Sequence, residues 1–536
     1  AEELRSGDRL ASLAIDDEPD IAVAAAFALS YESLAPLPRR LFALLGVVPG
    51  SDLTAPAAAA LFGCSPREVA PLLDTLVSVN LLHHDRGRYR MHDLIRLYAA
   101  GRAEQESGAE EAWRRLVDWY LRTADAAVDF KYQAYVRLTE RLFDDNPFAD
   151  AVQADAWLEA EEAQLLACID RAVASGPHEV AWRLADVLRH YLSRIDHLHS
   201  LRRAADAGLR ATLATGDRAG EGAMRHCLGV IHFTSGDNAA AIAEITVASE
   251  RYAEIGFRLG EAAMLCNLGM ARNNQGDATT ASELLFRGIA IFRELDRAAS
   301  LAPALHSLSA AYYNLGDLDA ALAAAVESWE VDPDPWSRHV SLINRGAAFR
   351  LLGNLPAAEA DLAGALGMAD NPSIAGYYEL AYLYSDLGRF EEAAELAEAG
   401  IEHSRREGME WHLAASLNAL AIARHGQGRA GETARLHEET RQIAVRLKHR
   451  TTEAESLLGL AVVRLSAGQP AAAHKAASQA RAIAKELRTR VVEARAALVL
   501  AAVSRQEGED ADADRYEAEA EALKVATGYV SVGRLG

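Results

Sequence analysis

The chain has 536 residues, 25% charged and half apolar, with 77 Asp+Glu against 55 Lys+Arg and a formal charge of −22. That length supplies several domains or one long repeat array, and the acidic excess disfavours wrapping nucleic acid or adsorbing on anionic membranes, since both require phosphate neutralisation. Apolar runs such as residues 21–29 and 496–503 fall far short of a membrane span of ~20 residues, no secretory apolar stretch follows Ala1, and Cys64, Cys168, Cys227 and Cys266 lie far apart with no C-x-x-C. A reducing, cytoplasmic setting is therefore expected, without disulfides or zinc.

Residues 38–45 and 56–62 read as short helices. Ser65-Pro66-Arg67-Glu68 is a capping box with Pro at the first helical position. Val69, Leu72, Leu73 and Leu76 carry that helix to about Val79, and Pro71 predicts a kink in it. Residues 81–85 and 88–92 are extended runs around Arg86-Gly87, a hairpin signal. Helices followed by a hairpin give the order of a winged helix. Between residues 24 and 106 eight Lys/Arg balance eight Asp/Glu, and the third helix offers Arg67 beside Glu68 and Asp74, so direct contact with DNA is not expected.

Beyond a helical segment the sequence repeats. Gly followed by a polar residue recurs at Gly236, Gly276, Gly316, Gly353, Gly388, Gly428, Gly468 and Gly508, at spacings of 40, 40, 37, 35, 40, 40 and 40 residues. Seven residues before each stands Gly229, Gly269, Ser309, Gly346, Ala381, Ala421, Ala461 or Ala501; five after stands Ala241, Ala281, Ala321, Ala358, Ala393, Thr433, Ala473 or Ala513. Closely crossing helices need small side chains at the crossing, and a tight helical turn favours Gly at positive φ. The stretch from Ala304 through Tyr312 and Gly316 to Ala321 resembles the tetratricopeptide repeat in a form of about 40 residues. Eight hairpins are predicted, with a degenerate ninth around Asp196 and the helix over 180–194.

A second resemblance rests on Leu29-Ser-Tyr31-Glu-Ser-Leu34, Arg40-Leu-Phe42-Ala-Leu-Leu45 and Arg90-Met91-His92-Asp93-Leu94. These are similar to the winged-helix module of NB-ARC proteins within the STAND class of signalling ATPases, and residues 20–49 and 89–99 especially resemble actinobacterial STAND (SARP-type) regulators of antibiotic production. Trp113 to Ala127 and Trp157-Leu-Glu-Ala-Glu161 are similar to their intervening helical segment. The resemblance implies an all-α chain with a small hairpin wing: residues 1–23 a remnant of the preceding helical (ARC) subdomain, 24–106 the winged helix, 107–180 a helical linker, 181–526 a right-handed tetratricopeptide solenoid, and 527–536 a tail. It also implies that His92 reaches the β-phosphate of ADP, a bond of about 1.5–3 kcal/mol. A P-loop requires a Gly-Lys pair, yet none of Lys131, Lys448, Lys475, Lys485 and Lys524 follows a Gly. The ATPase core is thus expected outside this chain, attached or separate, and ADP or ATP is implied for a longer parent only. The bland alternative for His92 is a residue ending a wing strand.

Other chemistry fails on spacing. His83 and His84 are adjacent on a strand and point to opposite faces, which opposes joint metal binding. Gly426-Gln-Gly428-Arg-Ala-Gly431 matches the dinucleotide fingerprint, but an alanine-rich helix enters it where a strand must. His437-Glu438-Glu439-Thr440-Arg441 has Arg in place of the second zinc-binding His, and no Gly-x-Ser-x-Gly is present. No enzyme is expected. What remains is the concave face of the solenoid, read at fixed offsets from the small residue of each first helix: His226, Phe233, Met270, Asn273, Asn274, His306, Tyr313, Asn314, Arg350, Tyr378, Tyr382, Asp386, Asn418 and His425. Asparagines and tyrosines there suit a peptide, protein or small polar ligand. The resulting expectation is the sensor and relay region of a STAND-type regulator; the competing one is a freestanding interaction scaffold that switches nothing, its groove solvated or covered.

Overall fold

A computed structural model describes residues 27–132, 136–139, 141–194, 197–368 and 373–530, which divide into two compact units at Thr234/Ser235. The expected remnant over 1–23, the turn at Asp196 and the end of the tail lie outside the described residues.

In the first unit the helix Pro36–Leu45 is followed by strand β1 (Asp52–Thr54), the helices Ala55–Phe62 and Pro66–Ser78, and the strands β2 (His83–Asp85) and β3 (Arg88–Arg90). The sheet is antiparallel in the order β1-β3-β2, with Leu53 opposite Tyr89 and His84 opposite the same tyrosine. This is winged-helix topology. Strand β1 is too short to show alternation, so it left no signal in the sequence. The capping box at Ser65 forms as expected, with the Ser65 hydroxyl accepting from the Glu68 amide. The helix continues through Pro71 to Ser78.

The helices Ala109–Tyr132 and Ala151–Ser175 do not act as a spacer. One hydrophobic core runs from Leu34 through Leu73, Trp113, Leu165 and Trp182 to Ile231. Polar ties follow the same path: Arg88 on β3 donates to Asp52 (2.6 Å) and to buried Glu161, Arg171 to the Val47 carbonyl (2.8 Å), and Trp113 Nε1 to the Gly176 carbonyl (2.8 Å). The unit closes with the helices His178–Leu192, Leu198–Thr215 and Arg218–Thr234. The division at Thr234 therefore falls inside the 181–526 range ascribed to the solenoid.

The second unit begins with the helix Asn238–Glu254 and then stacks seven hairpins: Arg258–Asn274 with Ala278–Glu294, Ala298–Leu315 with Leu318–Val331, Pro335–Leu351 with Leu355–Met368, Ile374–Asp386 with Phe390–Arg406, Glu410–Gly426 with Ala430–Arg446, Arg450–Ser466 with Pro470–Leu487, and Arg490–Glu507 with Asp510–Thr527. Each turn glycine sits at positive φ, Gly316 at +73°, where a β-carbon is strained. The polar residue after it then starts the next helix: Asp277 accepts from the Thr280 amide (3.1 Å). The small residues mark the crossings. A β-carbon on Gly269 would lie 2.6 Å from Leu285 and 3.0 Å from the Ala281 carbonyl, and the Ser309 hydroxyl donates to the Ala321 carbonyl (2.8 Å).

The concave face of the array is not open along its length. The last hairpin folds back on the second and third of the unit. Arg490 Nε donates to the Leu315 carbonyl (3.0 Å) and the Val530 amide to the Leu351 carbonyl (2.9 Å). Leu318, Leu351 and Val491 form a small core there with Tyr313, Leu352 and Tyr529. A β-carbon on Gly316 would sit 3.2 Å from Val491 and Thr527, and one on Gly353 2.9 Å from Val530. Turn glycines thus double as the seat of the closing seam, and the concave face becomes a chamber. No described helix is long and apolar enough to cross a membrane.

Candidate functional site

Stacked first helices bring the same offset of successive repeats side by side, so polar residues on the inner face bond from one repeat to the next. Asn314 Nδ2 donates to Asn273 Oδ1 (3.0 Å), Asn344 Nδ2 to the His306 carbonyl (3.2 Å), Arg350 to the Tyr313 hydroxyl (3.0 Å) and to Asp386 (3.1 Å), and Asn418 Nδ2 to the Tyr382 hydroxyl (3.1 Å). Buried His437 meets Asn418 Oδ1 at 3.0 Å, so the histidine of the abortive zinc motif serves the second tier of this ladder.

Within the seam lies a cavity of ≈ 420 Å³ lined from all seven hairpins, a volume in the range of small-molecule sites. Met270, Asn273, Asn274, His306, Tyr313, Asn314, Arg350, Tyr378, Tyr382, Asp386 and Asn418 all line it. His425 does not, and His226 and Phe233 belong to the first unit, where His226 is buried and held far below its ordinary pKa by burial and Arg189. In the last two repeats the same fixed offset falls on Glu455 and Arg495, which the candidates above do not include, and both line the cavity. Glu379, Trp411, His412, His449, Tyr529 and Val530 were missed for a different reason. They come from first turns, a neighbouring offset and the chain end, which face inward only because the array closes.

Enclosure changes the chemistry of these groups. Burial pushes His306, His412 and His449 down to about 4, so all three are neutral at ordinary pH. Burial lifts Glu379 to about 7, against the attraction of Arg350 and with lesser repulsion from Glu455 and Asp386. Arg350, paired with Asp386 and lying over the Tyr382 ring at 5.3 Å, stays charged.

In the first unit, Met91 packs against the core while His92 is exposed and precedes the helix Asp93–Ala103 without a side-chain capping bond. Neighbouring Arg90 pairs with Asp52 (3.0 Å) and Asp93 with Arg96 (3.0 Å), leaving the imidazole facing outward. His84 stacks on Tyr89 at 4.5 Å. Among the described residues no group of three His, Cys, Asp or Glu is arranged to hold a metal. Of the dinucleotide-like glycines, Gly426 ends the helix Glu410–Gly426, Gly428 lies in the turn and Gly431 stands in the helix Ala430–Arg446, with no strand entering.

The tetratricopeptide repeat family matches residues 374–404. Regulatory protein AfsR of Streptomyces coelicolor is 31% identical over 341 residues, covering 53% of this chain and 34% of the relative. The chain thus spans about a third of the length of that curated relative. Among solved structures, a STAND protein with a tetratricopeptide repeat sensor from Pyrococcus horikoshii aligns at 13% identity and TM-score 0.42, covering 92% of this chain and 64% of its own. The Rap conjugation gene regulator of plasmid pLS20, in complex with a Phr peptide, aligns at 14% identity and TM-score 0.47, covering 60% and 95%.

Proposed function

We propose that this chain is the sensing and relay part of a STAND-type transcriptional regulator, in which the chamber of the second unit takes up a compact ligand, a small molecule or the end of a peptide, and the winged helix passes the result to an ATPase module. The observation that carries this reading is the partly enclosed chamber, whose polar groups are contributed by every hairpin in turn. A ligand bridging them ties distant repeats together, while the seam that closes the array is small. Ligand occupancy therefore shifts the balance between closed and loosened forms by the difference in affinity for the two. Similarity to AfsR over half the chain supports the assignment to a regulator.

In this reading the outward-facing His92 meets the phosphate of ADP held by the ATPase module and keeps the parent protein closed. The chain alone lacks the rest of a nucleotide site, so calorimetry on residues 1–536 is expected to give no ADP affinity below the millimolar range. In a protein extended with its ATPase module, His92→Ala is expected to weaken ADP by about 10- to 100-fold, matching one charge-assisted bond. Equal ADP affinity for wild type and His92→Ala there sinks the relay role.

A further inference from the structure

The chamber lining carries three carboxylates, Glu379, Asp386 and Glu455, two guanidiniums, Arg350 and Arg495, and three histidines that burial keeps neutral. Asp386 takes the hydrogen bond of Arg350 at 3.1 Å. Glu379 is left 3.7 Å from the same guanidinium, too far for a hydrogen bond, and its Oε2 atom is buried with no donor at all. A carboxylate removed from water without donors is costly, and here a second, Glu455, is near enough to raise its pKa further. The flanking surface is aromatic: Tyr378, on the residue before Glu379, packs edge to face with Tyr382 (6.2 Å) and Trp411 (6.3 Å). Aromatic faces beside an unsatisfied carboxylate attract an ammonium group and give an anion nothing. The remaining wall, with Ile422, Leu458, Val462 and Val499, is apolar.

From this arrangement we infer that the ligand of the chamber is a small organic amine, its ammonium held by Glu379 among Tyr378, Tyr382 and Trp411 and its hydrocarbon body lying against the aliphatic wall. This rests on the reading of the chamber as the sensing site and names the chemistry that site selects. The ammonium supplies the donor that Glu379 Oε2 lacks and favours the ionised form of a carboxyl that burial holds near 7. The Tyr382 ring already carries a cation on its face, Arg350, and the Trp411 ring packs against His412 (4.1 Å) and His449 (5.9 Å).

The test is a charge series on constant bodies, measured by calorimetry on the full chain: tyramine, tyrosol and 4-hydroxyphenylacetate, then hexylamine, hexanol and hexanoate. In at least one series the amine is expected to bind about 10- to 100-fold more tightly than the alcohol, the range of one charge-assisted bond, with the carboxylate weakest. Glu379→Gln, which keeps the shape and removes the charge, is expected to bring amine and alcohol to equal affinity while leaving the alcohol unchanged. Alcohol or carboxylate equal to or tighter than the amine in both series overturns the amine assignment, as does absence of binding by both amines or a preference untouched by Glu379→Gln. Alcohol or carboxylate binding lost on chamber-filling Ala415→Trp leaves the chamber a ligand site and removes only the ammonium. The relay role is judged separately, by the ADP measurement on His92→Ala.

Discussion

The two units are built from the same secondary structure and held by different means. The first has one continuous core from Leu34 to Ile231 in which large side chains such as Trp113, Tyr120, Phe42 and Leu73 are fully buried. The second has several small clusters, rich in alanine, one to each group of hairpins, and around its chamber a polar ladder. Large interdigitated side chains specify one packing at high cost of disruption. Alanine crossings are individually weak, and a repeat array is stabilised by the sum of neighbour contacts. The second unit is therefore the one whose shape is expected to yield to a few kcal/mol.

The largest effect that sharpens this contrast is expected from Trp113→Ala. Removing a fully buried indole from the continuous core, together with its bond to the Gly176 carbonyl, is expected to cost about 3–5 kcal/mol. Hydrogen exchange is the measurement: protection should fall across residues 34–231 as a block, and a loss confined to the helix Ala109–Tyr132 breaks the picture of one cooperative core.

Next in size is Gly316→Val. A β-branched residue at φ +73°, with a β-carbon 3.2 Å from Val491 and Thr527, strains the turn and wedges the seam; about 2–4 kcal/mol is expected from the two together. The readout is the urea midpoint of the second unit, accompanied by faster exchange of the Val530 amide than in wild type. An unchanged exchange rate at Val530 contradicts the seam.

The smallest effect has a sign that depends on pH. Glu379 stands near 7 in the folded chain against an ordinary 4.5, so the folded state binds the proton more tightly, and stability is lost as pH rises from about 4.5 to 7. The histidines of the chamber run the other way: held near 4 against 6.5, they cost stability as pH falls from about 6.5 to 4. Glu379→Gln is expected to raise stability by about 1–3 kcal/mol at pH 8 and to change it little at pH 5. A gain as large at pH 5 as at pH 8 contradicts a titrating carboxylate.

Much of the second unit was legible because its determinants are local. Gly316 and Gly353 announce positive φ, Ser309 and Ala321 a crossing, and a constant offset from the small residue picks out Asn314, Arg350 and Tyr382 on one face. Closure was not legible. It depends on the angle between successive hairpins summed over the array, and no single residue encodes that sum, so Trp411, His449 and Val530 carried no mark of facing a chamber. Likewise the capping box at Ser65 and the hairpin at Arg86-Gly87 were readable, while β1, three residues long, has meaning only through its pairing with β3.

Closure also constrains how such an array can change over generations. An open solenoid tolerates the gain or loss of a hairpin, because each one meets only its neighbours. Here Arg490 must find the carbonyl of Leu315, and Val530 that of Leu351. Inserting or deleting one hairpin between them shifts every seam partner by a full copy, leaving the turn glycines 316 and 353 opposite nothing. The two shortened spacings, 37 and 35 residues, begin at those same glycines. Duplication by unequal recombination, the ordinary way repeat arrays lengthen, is thus expected to break this seam and open the chamber.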